Sequence, residues 1–174
     1  MSDVLIECVP NISEGKDLKV IDAIVDSARS VDGAFVLGCE PDSDYNRTVI
    51  TIAGKPKAVI QAAYNLIIKS SELIDMRKHS GNHPRMGAVD VCPFVPLSEH
   101  SMDYCVQASR ELSNLLGDNI PHFFYGEAAT KEKRKSLSSL RKLEYEGLES
   151  RFNGDEWNDE ETRMPDSWSG NWGE

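Results

Sequence analysis

Ala34-Phe35-Val36-Leu37-Gly38-Cys39 and Arg47-Thr48-Val49-Ile50-Thr51-Ile52-Ala53, linked through the turn residues Pro41-Asp42-Ser43-Asp44, decide the fold. Two runs rich in β-branched and apolar residues, separated by so short a link, pair as an antiparallel hairpin. Upstream, Val4-Leu5-Ile6-Glu7-Cys8-Val9 is another such run, ended by Pro10 and followed by a turn at Asn11-Ile12-Ser13-Glu14-Gly15. Between that run and the hairpin, the stretch from Leu18 to Ala28 sets Val20, Ile21, Ile24 and Val25 at helical spacing. Downstream, Gly54-Lys55-Pro56 opens a second helix whose buried stripe is Val59, Ile60, Ala63, Ile67 and Ile74. Pro56 falls in its first turn, where the missing N–H has no intrahelical partner to lose. Val89-Asp90-Val91-Cys92-Pro93-Phe94-Val95 is the fourth run, and Pro93 places it at a sheet edge or a bulge.

The order is βαββαβ. It predicts an α+β fold of the ferredoxin-like split βαβ type, with a mixed, mostly antiparallel sheet of five to six strands and helices on one face. A helix from Met102 to Leu116, started by Ser101 and ended by Gly117, should follow. A fifth strand at His122-Phe123-Phe124-Tyr125 and a short helix from Leu137 to Glu146 complete the expected elements. Helices on one face leave the other bare, so a sheet rich in Val, Ile and Phe needs cover from a second copy or another chain.

With 174 residues the chain is long enough for one ordinary core. Its net charge of -10 argues against nucleic acid, and the charge is unevenly placed. From Glu144 onward ten acids face two arginines. Residues 1–150 are therefore read as the globular domain, and residues 151–174 as an acidic, Trp- and Gly-containing tail or linker with no period of either kind. Cys8, Cys39, Cys92 and Cys105 lack Cys-x-x-Cys spacing and read as reduced thiols of a cytoplasmic protein rather than disulfide or metal ligands. Met1-Ser2-Asp3 lacks the basic region of a signal peptide, and no run approaches the ~20 apolar residues of a membrane span.

The segment Arg77-Lys78-His79-Ser80-Gly81-Asn82-His83-Pro84-Arg85-Met86-Gly87 gathers two imidazoles and three cations where a helix cannot continue. Gly81 admits backbone angles barred to other residues, and Pro84 biases His83 toward an extended conformation. An imidazole in such a loop can take a proton near neutral pH, and Arg85 beside it can hold an anionic group. The plainer reading is a histidine that caps or packs the loop. His79 and His83 have the i, i+4 spacing of a helical metal pair, but Gly81 and Pro84 break the helix it requires, so no metal is expected. At Asn46-Arg47-Thr48 the arginine offers a planar fork to a carboxylate, or else pairs with Asp42 or Asp44.

Glu7 to Gly15, Asn46-Arg47-Thr48-Val49, Leu73-Ile74-Asp75-Met76, His83 to Pro96, Tyr125-Gly126-Glu127-Ala128-Ala129 and Glu144-Tyr145-Glu146 together resemble the N-terminal subdomain of glutamate formimidoyltransferase, of the formiminotransferase-cyclodeaminase family. The resemblance implies a folate-dependent transferase of histidine degradation and one-carbon metabolism. It would move a formimino group between N-formimino-L-glutamate and tetrahydrofolate, the latter a co-substrate. His83 falls on the family's general base, and Glu40, Asn46, Arg47, Gly81 and Arg85 become candidates for holding substrate or folate. Two positions depart from the family pattern. Asn82 replaces the acid that usually precedes the histidine, and Gly38-Cys39-Glu40 stands where Asp-x-Asp is usual. The motifs cover only the N-terminal subdomain, so the implied enzyme is completed by a C-terminal-subdomain chain or as a homodimer. The alternative is a non-catalytic folate-binding or assembly-forming relative.

Overall fold

The computed structural model describes residues 4–97, 102–153, 157 and 159–170. Ser101, the expected helix start, lies outside the described residues, as do Asp155, Glu156, Asn158 and Trp172 of the acidic segment. Residues 1–112 and 113–174 form two compact units.

In the first unit the elements run β1 (Ile6–Cys8), β2 (Asn11–Ile12), α1 (Leu18–Arg29), β3 (Ala34–Asp42), β4 (Arg47–Gly54), α2 (Pro56–Leu73), β5 (Val89–Val91) and β6 (Phe94–Pro96), followed by α3 (Met102–Leu116). The hairpin is the longest pairing, with register from Ala34 opposite Gly54 to Asp42 opposite Arg47. On its other side β4 pairs with β1 and then β2, which in turn pair with β6 and β5. Every described pairing is antiparallel, which corrects the expectation of a mixed sheet. Pro93 divides the expected run Val89–Val95 into β5 and β6, and Pro10, which ends the first run, separates β1 from β2. Pro10 and Pro93 have no N–H for the ladder, yet the Pro10 carbonyl accepts from Ile50 N–H at 2.9 Å and the Pro93 carbonyl from Val9 N–H at 3.0 Å. Asn11-Ile12, expected as a turn, therefore re-enters the sheet.

One face of the sheet is the core. Ile6, Cys8, Ile12, Thr48, Ile50 and Ile52 are fully buried, and α1 and α2 supply Ile21, Ile24, Val25, Val59, Ala62, Ala63 and Leu66. Asp17 starts α1, its carboxylate accepting from Lys19 N–H at 3.0 Å and Val20 N–H at 3.3 Å, a cap contributing about 1 kcal/mol. Ile74, expected within the stripe of α2, is instead its C-terminal cap residue. The opposite sheet face is open. Phe35 and Leu37 are 63% and 66% exposed on it. Cys8 and Cys92 bring their sulfurs to 3.4 Å as free thiols, and burial, then the Cys92 contact, pushes the Cys8 thiol well above its ordinary value.

The second unit differs most from expectation. Residues 122–125 form no sheet strand; His122 makes only an isolated antiparallel bridge to Ser167, while Asp166 takes the Phe124 N–H on its carboxylate at 2.8 Å. The expected helix from Leu137 to Glu146 is reduced to α4 (Leu137–Leu140), because Leu143 and Glu144 adopt left-handed angles, φ 69° and 53°. Beside and within the segment read as an acidic tail without period lie the helical α5 (Leu148–Asn153) and α6 (Glu160–Arg163). Two arginines organise it. Arg134 is buried and meets Asp166 at 2.6 Å. Arg151, also buried, donates to the carbonyls of Leu140 at 2.7 Å and Arg163 at 3.1 Å, with its guanidinium 4.7 Å from the ring centres of both Phe123 and Trp157. Burial, then the Arg134 charge, push its pKa down to about 10. No helix among the described residues is long and apolar enough to cross a membrane.

Candidate functional site

The turn between β3 and β4 meets the loop between α2 and β5, and Asn46 joins them. It is buried and takes a left-handed φ of 52°, which Asn tolerates better than most residues. Its side-chain oxygen accepts from Gly15 N–H at 3.0 Å, and its amide donates to the Ser80 carbonyl at 2.8 Å. One side chain thus pins three segments. Gly15 and Gly81 are the close approaches that make this possible. A Cβ on Gly15 would strike the Asp42 carbonyl and lie 2.6 Å from Arg47 N, and one on Gly81 would lie 2.5 Å from the Tyr45 carbonyl oxygen and 2.8 Å from Asn46 Cβ.

Arg47 follows on β4 and lies on the open face, opposite Asp42. Its Nη1 donates to Asn11 Oδ1 at 3.1 Å and sits 3.3 Å from His83 Nε2. The guanidinium carbon is 5.7 Å from the centre of the Tyr45 ring, which meets the His83 ring edge to face at 6.5 Å. His83 is half-buried, so it can be reached from solvent. Arg47 does not take up Asp42 or Asp44, whose turn is closed by Asp42 accepting the Asp44 and Tyr45 amides.

Arg85 has a different surrounding. It is buried, and its Nε donates to His79 Nδ1 at 3.1 Å while Nη2 reaches the His79 carbonyl at 3.4 Å. With Nδ1 accepting, His79 carries its proton on Nε2, which donates to the Asn46 carbonyl at 2.9 Å. The chain Arg85, His79, Asn46 therefore braces the loop that presents His83. Arg77 and Lys78 are tied to Asp75 at 2.8 and 3.1 Å, and these bonds, Arg77 first, hold the Asp75 carboxyl well below its ordinary range.

Asn46, Arg47, Gly81, His83 and Arg85, all named from sequence, thus come together. Glu40 stands apart on β3, exposed, on the open face opposite Val49. Asn11 and Ser13 were passed over as ordinary turn residues. Asn11 lies opposite Val49 on the open face, and the buried Ser13 donates to the Gly87 carbonyl at 2.7 Å. A polar run directly following a strand that ends in proline was the available signal. No group of three or more His, Cys, Asp or Glu suited to a metal ion occurs among the described residues.

Residues 5–173 match the family model described as the formiminotransferase domain, N-terminal subdomain. The formimidoyltransferase-cyclodeaminase of Dictyostelium discoideum is 45% identical over 155 residues, which are 88% of this chain and 29% of that protein. The glutamate formimidoyltransferase of Streptococcus pyogenes serotype M1 is 39% identical over 155 residues, and that of Thermoplasma acidophilum 40% over 157; each match takes in 88% of this chain and 52% of the relative. The chain spans about half the length of these transferases and less than a third of the fused protein.

Proposed function

The chain belongs to the formiminotransferase N-terminal-subdomain family, and from that premise we propose that it provides the catalytic half of a glutamate formimidoyltransferase. The observation that carries the proposal is His83, reachable from solvent and held by Arg47 beside the open sheet face. In this reading N5 of tetrahydrofolate attacks the formimino carbon of N-formimino-L-glutamate. His83 takes the N5 proton as the new C–N bond forms, and returns a proton to the glutamate nitrogen as the old C–N bond breaks. Glutamate leaves and no covalent enzyme intermediate is needed. Arg47 supplies a positive charge beside the base and a fork for a substrate carboxylate, while Asn46, Gly81 and Arg85 shape the loop. In this reading Glu40, which stands apart on the same sheet face, serves as the acid for the amidine nitrogens of the donor.

We read the order of strands and helices, βαββαβ, as a ferredoxin-like split βαβ, and its open face as the surface covered by a C-terminal-subdomain chain or by a second copy. Residues 151–174 would lead from the domain toward that second half, and the reduced thiols suit a cytoplasmic setting. The test is transfer itself. Purified chain is given tetrahydrofolate and N-formimino-L-glutamate, alone and with the remaining half of a glutamate formimidoyltransferase, and loss of the donor is followed. Turnover in either mixture supports the proposal; a folded chain that turns over in neither contradicts it and leaves the non-catalytic alternative.

A further inference from the structure

Cys8 and Cys92 are 84 positions apart in the chain, yet their sulfurs lie 3.4 Å from one another as free thiols. Closing that gap to the about 2.05 Å of a disulfide takes a movement of about 1.4 Å. The backbone sets the pair. Cys8 ends β1 and is held on both sides, opposite Ile52 of β4 and Phe94 of β6. Cys92 falls in the link between β5 and β6, outside both strands and next to Pro93, which has no N–H to give a ladder. Cys92 is therefore the partner that can shift. The two thiols also differ in access. Cys8 is fully buried, and burial, then the Cys92 contact, hold it in its protonated form near neutral pH, whereas Cys92 is half-buried.

We propose that Cys92 and Cys8 form a reversible oxidation site for hydrogen peroxide and small hydroperoxides, with Cys92 reacting first and Cys8 closing a disulfide that ties β1 to the β5–β6 link. The thiolate is the nucleophile toward peroxide, so the half-buried thiol is the point of entry and the buried, protonated one is not. In the first step Cys92 Sγ bonds to one peroxide oxygen as the O–O bond breaks, giving a sulfenic acid and one water. In the second, Cys8 Sγ bonds to Cys92 Sγ as the S–O bond breaks, and the departing hydroxide takes the Cys8 proton and leaves as water. Two thiols lose two electrons in all, and one peroxide becomes two waters. The second step outpaces further oxidation of Cys92 because its partner is already in place at 3.4 Å. The tie spans α1, the hairpin, α2 and the histidine loop, a long stretch whose unfolded state it restricts. The inference does not rest on the transfer reading.

The experiment treats the reduced full chain, kept dilute, with hydrogen peroxide, alkylates the remaining thiols, and maps the digest by mass spectrometry without reductant. The peptides holding Cys8 and Cys92 should appear joined, two hydrogens lighter than their sum, with Cys39 and Cys105 alkylated, and a thiol reductant should separate them. Cys92→Ser should leave Cys8 alkylatable after peroxide, and Cys8→Ala should leave Cys92 as a sulfenic acid that dimedone labels. By far-UV circular dichroism the urea midpoint of the oxidised chain should lie about 1–2 M above that of the reduced one. A treated native chain in which both cysteines remain alkylatable, or in which either is joined to Cys39 or Cys105, overturns the inference. So does oxidation of Cys8 in Cys92→Ser, or an oxidised chain no more stable than the reduced one. The native map alone decides the pairing, whatever the stability of the variants.

Discussion

Replacing Asn46 by alanine should loosen the whole site, and the structure gives the size of the effect. The side chain is buried and makes two hydrogen bonds to backbone groups, the Gly15 N–H at 3.0 Å and the Ser80 carbonyl at 2.8 Å. Removing it leaves both without that partner, at about 1 kcal/mol each, and places an alanine at φ 52°, where it costs about 1 kcal/mol more than asparagine. The sum is about 3 kcal/mol. At a slope of about 2 kcal/mol/M the urea midpoint should fall by about 1.5 M with the slope unchanged. Asn46→Gly loses the same bonds but tolerates the backbone angle, so it should recover about 1 kcal/mol of the loss. All three tryptophans lie at or beyond residue 157, so far-UV circular dichroism with amide exchange at Gly15 is the proper readout for the first unit. An Asn46→Ala chain within about 0.5 kcal/mol of the native one would refute the claim that Asn46 pins these segments.

Gly81→Ala should destabilise by about 1–3 kcal/mol, because its Cβ meets the Tyr45 carbonyl at 2.5 Å; a chemical unfolding curve unchanged from the native one would contradict the tight approach. Arg151→Ala should cost about 3–5 kcal/mol, since it strips the buried Leu140 carbonyl and the part-buried Arg163 carbonyl of their donor and empties the space between Phe123 and Trp157, and tryptophan fluorescence during unfolding would report it. Phe35→Glu with Leu37→Glu, both exposed, should change stability by less than about 1 kcal/mol yet abolish association with a second half or a second copy, as measured by sedimentation.

The first unit was legible because its signals are local and mutually consistent. A β-branched hairpin, two amphipathic helices and short links leave few arrangements, and the alternation of buried Thr48, Ile50 and Ile52 with half-exposed neighbours in β4 follows from the period of a strand. The prolines were read correctly as interruptions, but that the sheet resumes at Asn11-Ile12 depends on partners from β4 and β5 that a local reading does not see. Within the site, His83 and Arg47 could be named because their side chains carry chemistry, whereas the role of Asn46 arises from a left-handed angle and two long-range bonds. Arg85 looked like an anion ligand from its place in the loop; its burial against His79 is a fact of packing. The second unit hid its order under acidic composition, because what organises it is a pair of buried arginines far apart in sequence from Asp166 and the carbonyl of Arg163.

The proposed role of His83 as the base of a formimino transfer is measured directly by comparing the native chain with His83→Ala in the transfer assay, each supplied with the second half of a glutamate formimidoyltransferase. Turnover by the native pair is expected, with a loss of about 100-fold or more in the variant, the usual contribution of a positioned acid–base group, while both chains unfold at the same urea concentration. Equal turnover by the two pairs would contradict it.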